Sequence, residues 1–314
     1  MGVFFQSIQG VLVILVMIAI GYILASRQWF TEKSGQIIAR IVTQIALPMY
    51  MIHTITSDFT VDKLRQLLPD IKFPIISMII LFAISIAVSR ILQIRKNRRG
   101  LFQSMFFNSN TVFVGLPINM ALFGTESLPY VLVYYMVNTT FFWTLGTYLI
   151  QRDGEGEWRF DWISTLRKVF SPPLLGFVVG VLLVLFDIQL PTFVVSDLQY
   201  IGDLTVPLSM FFIGIAVHHA GLKNLTFNQY SLGILGGRFI LAPIIMFLLL
   251  WKTDMPHLMK QVFILQAAMP VMTNAPVVAS LYGADADYAA AMVTESTILS
   301  LIMVPILMTL IQQI

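Results

Sequence analysis

The chain contains no cysteine. This excludes disulfides, cysteine-ligated zinc, iron–sulfur clusters and thiol nucleophiles, and says little about compartment. Charge is also scarce: 11% of the 314 residues are Asp, Glu, Lys or Arg, against about 25% in a soluble domain. With 57% hydrophobic residues and a mean hydropathy of +0.83, the chain reads as an integral membrane protein with almost no room for a soluble domain. No HExxH, Walker A, GxSxG or dinucleotide-binding glycine motif occurs in a usable context, which argues against a membrane enzyme. No basic region precedes the first apolar segment and no small-residue cleavage site follows it, so it reads as a retained helix. A net charge of +3 and a pI near 9.1 would suggest nucleic acid in a soluble protein. Here the basic residues sit in short loops that orient the chain in the bilayer, and no nucleic-acid partner is expected.

What is present is a series of apolar runs of about 20 residues, the length that crosses a bilayer. Ten can be counted, at about 5–26, 33–56, 72–94, 101–124, 128–151, 167–187, 195–218, 228–251, 258–283 and 288–312. The longest polar insert, Gln151 to Lys168, divides the chain near its middle. At one offset, 159 residues, landmarks coincide: Gly21 with Gly180, Pro48 with Pro207, Pro117 with Pro276 and Gly124 with Gly283. The halves, 1–155 and 156–314, therefore read as copies of five helices each. Because five is odd, the second copy enters the membrane from the opposite side, the inverted repeat common in secondary transporters.

Lys and Arg give the orientation. With the N-terminus outside, 13 of them fall on the inner side (Arg27, Lys33, Arg40, Arg90, Arg95, Lys96, Arg98, Arg99, Arg152, Arg159, Arg167, Lys168, Lys223). Five fall on the outer side: Lys63, Arg65, Lys72, Lys252 and Lys260. Both termini are expected outside, with the run Arg95 to Arg99 weighing most.

Two stretches break the apolar pattern where a simple anchor would carry leucine. They are Asn108 to Gly124 in the fourth span and Gln266 to Gly283 in the ninth. Unpaired backbone groups are costly in lipid, so such breaks persist only where they are buried in protein or line a cavity. Half-helices resuming after the breaks would point free N–H groups and positive dipole ends at the membrane centre, a site for an anion. Asn108, Asn110, Thr111, Thr273 and Asn274 can donate to a carboxylate. Gly115 permits close approach, Pro117, Pro270 and Pro276 keep the helices open, and Gln266 is a further polar lining residue. The bland alternative is that the amides only patch kinks.

Ionisable residues inside spans are functional candidates by default. Arg238 lies deep in the eighth span and could neutralise substrate or, the favoured reading, hold a buried carboxylate. Glu295, beside Ser296 and Thr297, could bind Na⁺, carry a proton, or pair with Arg238. Asp203 ranks lower, near the interface. His53, His218, His219 and His257 lack ligand spacing, so no metal site is expected, and Pro48 and Pro207 read as kinks.

The same residues carry a resemblance. Asn110-Thr111-Val112-Phe113-Val114-Gly115-Leu116-Pro117 is similar to an N-T-x-x-x-G-x-P stretch of the auxin efflux carriers and their bacterial malate or malonate permease relatives, within the bile acid/arsenite/riboflavin transporter superfamily. Leu122-Phe123-Gly124 resembles its aromatic-glycine end, and Gln266-Ala267-Ala268-Met269-Pro270 with Pro276 the matching ninth-span element. Leu204 to Gly214 and Arg238 to Pro243 resemble the seventh and eighth spans. The resemblance implies ten helices in two inverted repeats, with spans four and nine crossing in a transport domain that moves against a scaffold. It also implies a carboxylate site lined by Asn110 and the crossover prolines. One departure is Ser171-Pro172-Pro173, where the plant carriers have Asn-Pro.

Together these observations predict an all-α carrier of a small mono- or dicarboxylate, such as malate, in the cytoplasmic membrane, working by alternating access. A sodium-coupled, bile-acid-carrier-like symporter is the alternative, with a channel or a membrane enzyme less favoured. No cofactor is implied beyond Na⁺ or H⁺ as a coupling ion. The oligomeric state, a homodimer included, is left open.

Overall fold

The computed structural model describes residues 2–62, 68–154, 170, 172–220 and 227–311. Lys63, Arg65, Arg159, Arg167, Lys168, Ser171 and Lys223, and the expected repeat boundary at 155–156, lie outside them. Among the described residues there is no strand beyond one isolated bridge, and the regular structure is helical. That is how an apolar chain keeps its backbone groups paired in lipid.

The first half begins with α1 (Gly2–Ser26) and α2 (Glu32–Ile41), the latter started by a Thr31–Ser34 capping box. A π-helical turn, Val42–Ala46, leads into α3 (Leu47–Asp58), which carries Pro48 in its first turn. α4 (Lys72–Ile91) and α5 (Lys96–Phe107) follow. The chain leaves the helix at residues 108–110, resumes as a π turn, Thr111–Gly115, and continues as α6 (Leu116–Phe123). α7 (Leu128–Phe141) passes through a π turn, Phe142–Gly146, into α8 (Thr147–Asp153).

The second half has α9 (Pro172–Leu185), α10 (Thr192–Gly202), α11 (Thr205–Ala220) and α12 (Gln229–Gly236). A π turn, Gly237–Leu241, joins α12 to α13 (Ala242–Leu250). α14 (His257–Ala267) ends in an irregular stretch, 268–274, before α15 (Ala275–Leu281) and the long α16 (Ala286–Ile311). Gly124 and Gly283 close α6 and α15 with φ of +73° and +71°, a left-handed step that other residues make at a cost.

Among the described residues five helical runs are long and apolar enough to cross a membrane: Lys33–Ser57, Pro69–Ile91, Thr192–His219, Gln229–Leu250 and Ala286–Ile311. Leu12–Ser26, Thr111–Phe123 and Pro172–Leu185 are apolar but shorter. Large apolar side chains such as Val16, Ile23, Ile79, Leu248 and Ile302 face outward, as lipid contact requires. The fold is that of a multi-pass, all-helical membrane protein.

The helices pack as two groups. In one, α1 lies along α11 and α3 along α9 and α10. Glycine brings these backbones close: a Cβ on Gly214 would stand 2.1 Å from the Ile18 carbonyl, and one on Gly180 would stand 2.8 Å from the Ile55 side chain. In the other group α5 packs against α8, α4 and α12, α14 against α13 and α7, and α15 against α16. Aromatic side chains including Phe102, Phe106, Phe107, Tyr134 and Phe263 fill its core. One end of this second group is tied across the two halves, where Arg98 pairs with Asp285 and lies over the Tyr288 ring. Contacts between the groups are mainly apolar, with Leu47 and Met51 in one cluster with Leu116 and Leu128, and Phe113 against Phe212 at 5.2 Å between ring centres.

Candidate functional site

Each broken helix leaves backbone donors and acceptors without the partner four residues away. The two breaks answer this largely by meeting. Ser109 and Val271 form an antiparallel bridge, and the Asn110 N–H donates to the Pro270 carbonyl at 2.8 Å. Neighbouring helices complete the pairing. Asn138 of α7 accepts from the Ser109 N–H at 2.9 Å and donates to the Ser109 carbonyl at 2.8 Å. Ser296 of α16 accepts from the Val271 N–H at 3.0 Å. No motif marks Asn138 in the sequence; its one signal is an amide that follows an apolar and aromatic run and precedes two threonines.

At this meeting point is a cavity of about 180 Å³. Its walls include Ser109 to Phe113 from the first break and Met272 to Asn274 from the second. Tyr135, Thr139 and Trp143 contribute from α7 and the π turn after it, while Thr43, Gln44, Pro172 and Pro173 come from the other helix group. Among the described residues the lining has amides, hydroxyls and rings but no Asp, Glu, Lys or Arg. Both resumed half-helices start here, at Asn110–Thr111 and at Asn274–Ala275.

Asn110 is the most informative lining residue. It is 3% exposed, and its Oδ1 caps the π turn by accepting from the Phe113 N–H at 3.1 Å. Its Nδ2 has no partner among the described residues. A buried donor left open beside a cavity is a place for a ligand acceptor, because an unmet buried polar group is costly. Thr139 Oγ1 is likewise buried without a partner on the same wall.

Of the residues expected from sequence, Asn110, Thr111, Thr273 and Asn274 line the cavity; Asn108, Gly115, Pro117, Gln266, Pro270 and Pro276 do not. The second set supports the breaks. Asn108 Nδ2 donates to the Ser104 carbonyl at 3.1 Å, and Gln266 Nε2 donates to the Thr111 carbonyl at 3.4 Å. Gly115 makes room for Gln266, whose Oε1 lies 2.3 Å from where a Cβ would stand. Pro117 and Pro276 sit in the first turns of α6 and α15. Thr43, Gln44, Tyr135, Thr139 and Trp143 were not predictable as lining residues, since only the packing of distant helices brings them together.

The expected carboxylate partner of Arg238 is replaced by backbone. Its Nε donates to the Met269 carbonyl at 3.1 Å, its Nη1 to the Phe106 carbonyl at 3.3 Å, and its Nη2 to the Ala267 carbonyl. The physical reason is that the breaks orphan these carbonyls at the same depth as the guanidinium. Glu295 is buried at 1% exposure on α16 and does not line the cavity. Asp203 is exposed in the turn between α10 and α11, away from the lining. His53, His218, His219 and His257 do not line it either, and His218 stacks edge-on against Tyr22 and His219.

A cavity lined by amides, hydroxyls and rings between two helix groups, at the junction of two interrupted membrane helices, is an arrangement of membrane transport proteins. The chain belongs to the membrane transport protein family that includes carriers of the auxin efflux type, matching it over residues 6–308. It is 26% identical over 302 residues to an uncharacterized transporter of Methanocaldococcus jannaschii, covering 94% of this chain and 95% of that one. It is 28% identical over 313 residues to an uncharacterized transporter of Methanothermobacter thermautotrophicus, covering 97% and 98%.

Proposed function

We propose that this protein is a secondary carrier of a small organic anion, a mono- or dicarboxylate, in the cytoplasmic membrane with both termini outside. It works by alternating access: the group holding the two breaks moves against the group of α1, α2, α3, α9, α10 and α11. The observation that carries this reading is the open Nδ2 donor of Asn110 in a cavity shared by both helix groups. A ligand there would touch both groups, so its binding could be coupled to their relative movement. The cavity is smaller than the roughly 300–1,000 Å³ typical for drug-sized ligands, which suits a compact anion.

The reading takes the chain as two inverted five-helix repeats. The close contacts support this, since the 159-residue offset maps Gly21 onto Gly180 and Ile55 onto Gly214, and both pairs, Gly21–Gly214 and Gly180–Ile55, touch. It also maps the π turn Val42–Ala46 onto residues 201–205, where the chain turns between α10 and α11.

The test is uptake of a carboxylate panel by proteoliposomes, with and without Na⁺ and pH gradients, comparing wild type with Asn110→Ala. Saturable carboxylate uptake lost in the variant is expected. A protein that moves no carboxylate under any gradient is not this carrier. Sodium coupling is a second reading, favoured by Asn119 Oδ1 and Gln266 Oε1, buried acceptors without a protein donor around Gly115. Uptake indifferent to Na⁺ excludes it.

A further inference from the structure

Arg238 is fully buried, in the π turn between α12 and α13. Among the described residues it bonds only to carbonyls, those of Phe106, Ala267 and Met269. Phe106 is in the last turn of α5, Ala267 ends α14, and Met269 is inside the second break. Carbonyls at a helix C-terminus carry the negative pole of its dipole. One guanidinium therefore gathers the negative poles of both interrupted helices, while the resumed half-helices keep their positive ends at the cavity. The two effects push the potential there in the same direction. Among the described residues Arg238 forms no ion pair with a carboxylate, and its bonds are to those three carbonyls. No acidic or basic side chain among the described residues stands on the cavity wall to offset or add to this charge.

We propose that Arg238 is the fixed cation of the transport site, acting through the carbonyls it holds, and that its single uncompensated charge selects a monoanion. The inference rests on the anion-carrier reading above and narrows its substrate class to monocarboxylates. One bound carboxylate balances the crossing. The second carboxylate of a dianion would enter a cavity with no cation to meet it, in surroundings where an unpaired charge is costly. Arg238 is a positioning residue, because it holds the backbone of the site without lining it.

The test is titration of the purified full-length protein with butyrate, succinate and butyramide, of similar size and carrying one, two and no charges at neutral pH. Wild type is expected to bind butyrate about tenfold more tightly than either of the others. Acidification that converts succinate to its monoanion should close most of its gap to butyrate. Arg238→Lys retains the charge and should keep butyrate ahead of butyramide. Arg238→Gln can still donate to a carbonyl but has no charge, and should bring the three within about threefold of one another.

Tight binding of the succinate dianion by wild type overturns the inference without any variant, so the test stands even where Arg238→Gln does not fold. A folded Arg238→Gln that keeps wild-type discrimination overturns it as well, leaving the carrier reading intact. Absence of any anion binding overturns the carrier reading itself, and this inference with it.

Discussion

The Asn110 N–H and the Pro270 carbonyl, 2.8 Å apart, join two interrupted helices at the point where both have lost their own ladder. In a continuous helix Asn110 would donate to Phe106 and Pro270 would accept from Asn274. The Phe106 carbonyl is instead held by Arg238, and Asn274 begins a new half-helix. Each break thus supplies what the other lacks. Because unpaired backbone in lipid costs several kcal/mol per group, the two breaks stabilise one another and are held together as one unit.

Asn110 spends its Oδ1 on the cap to Phe113 and leaves its Nδ2 without a partner among the described residues, so substitutions can separate the two atoms. Asn110→Asp keeps the cap to the Phe113 N–H but replaces the open donor with a negative charge. Anion binding should fall at least about tenfold, with the stability loss coming from the buried charge and not from the cap. Asn110→Ala should lose about 1 kcal/mol from the missing cap and weaken binding as well. Thermal melts beside ligand titrations check both. An Asp variant that binds anions as wild type does rules out Nδ2 as a ligand donor.

The breaks are legible in the sequence because amides, proline and a closing glycine interrupt otherwise apolar runs, and the structure interrupts both helices there. Which amide faces the ligand is not legible. Asn108 and Asn110 are two residues apart and chemically identical, yet one spends its Nδ2 on the Ser104 carbonyl and the other leaves it open. The partner of Arg238 is hidden for a related reason. A sequence displays carboxylates such as Glu295 as letters, but carbonyls orphaned by a broken helix have none. Gln44 and Trp143 reach the cavity through helix packing, for which local pattern gives no sign.

Gly115 and Gln266 should be energetically coupled. A methyl group at 115 would stand 2.3 Å from Gln266 Oε1 and push that side chain off the Thr111 carbonyl. Gly115→Ala alone should cost about 1–3 kcal/mol through overpacking. Gln266→Ala alone leaves the Thr111 carbonyl with one bond fewer. Together they should be less damaging than the sum, by about 0.5–3 kcal/mol, since the second removes the clash created by the first. A double-mutant cycle read by thermal unfolding in detergent measures this, and additive losses would mean that the two side chains do not share the space.

Asn138 should matter more to stability than Ser296, although both hold a break. Asn138→Leu orphans the Ser109 N–H, at about 1–3 kcal/mol, and leaves the Ser109 carbonyl with the Thr111 N–H as its one remaining donor. Ser296→Ala orphans the Val271 N–H alone, so its loss should be smaller by the bond that Asn138 also gives the Ser109 carbonyl, about 0.5–1.5 kcal/mol. Both variants should also weaken anion binding, because the backbone they release forms or adjoins the cavity wall. Unfolding curves of the two variants side by side settle the order. Equal losses would show that water or neighbouring groups replace the Asn138 bonds.

Trp143 offers a direct reporter of where the ligand sits. It is one of five tryptophans in the chain and, among the described residues, the one that lines the cavity. A carboxylate entering the site must change the polarity around its indole, so titration should give a saturable change in tryptophan fluorescence. Trp143→Phe keeps an aromatic wall and should leave the dissociation constant, measured calorimetrically, within about threefold of wild type. The fluorescence change should nevertheless disappear. A signal that survives in Trp143→Phe would put the ligand beside another tryptophan and away from the meeting point of the two breaks.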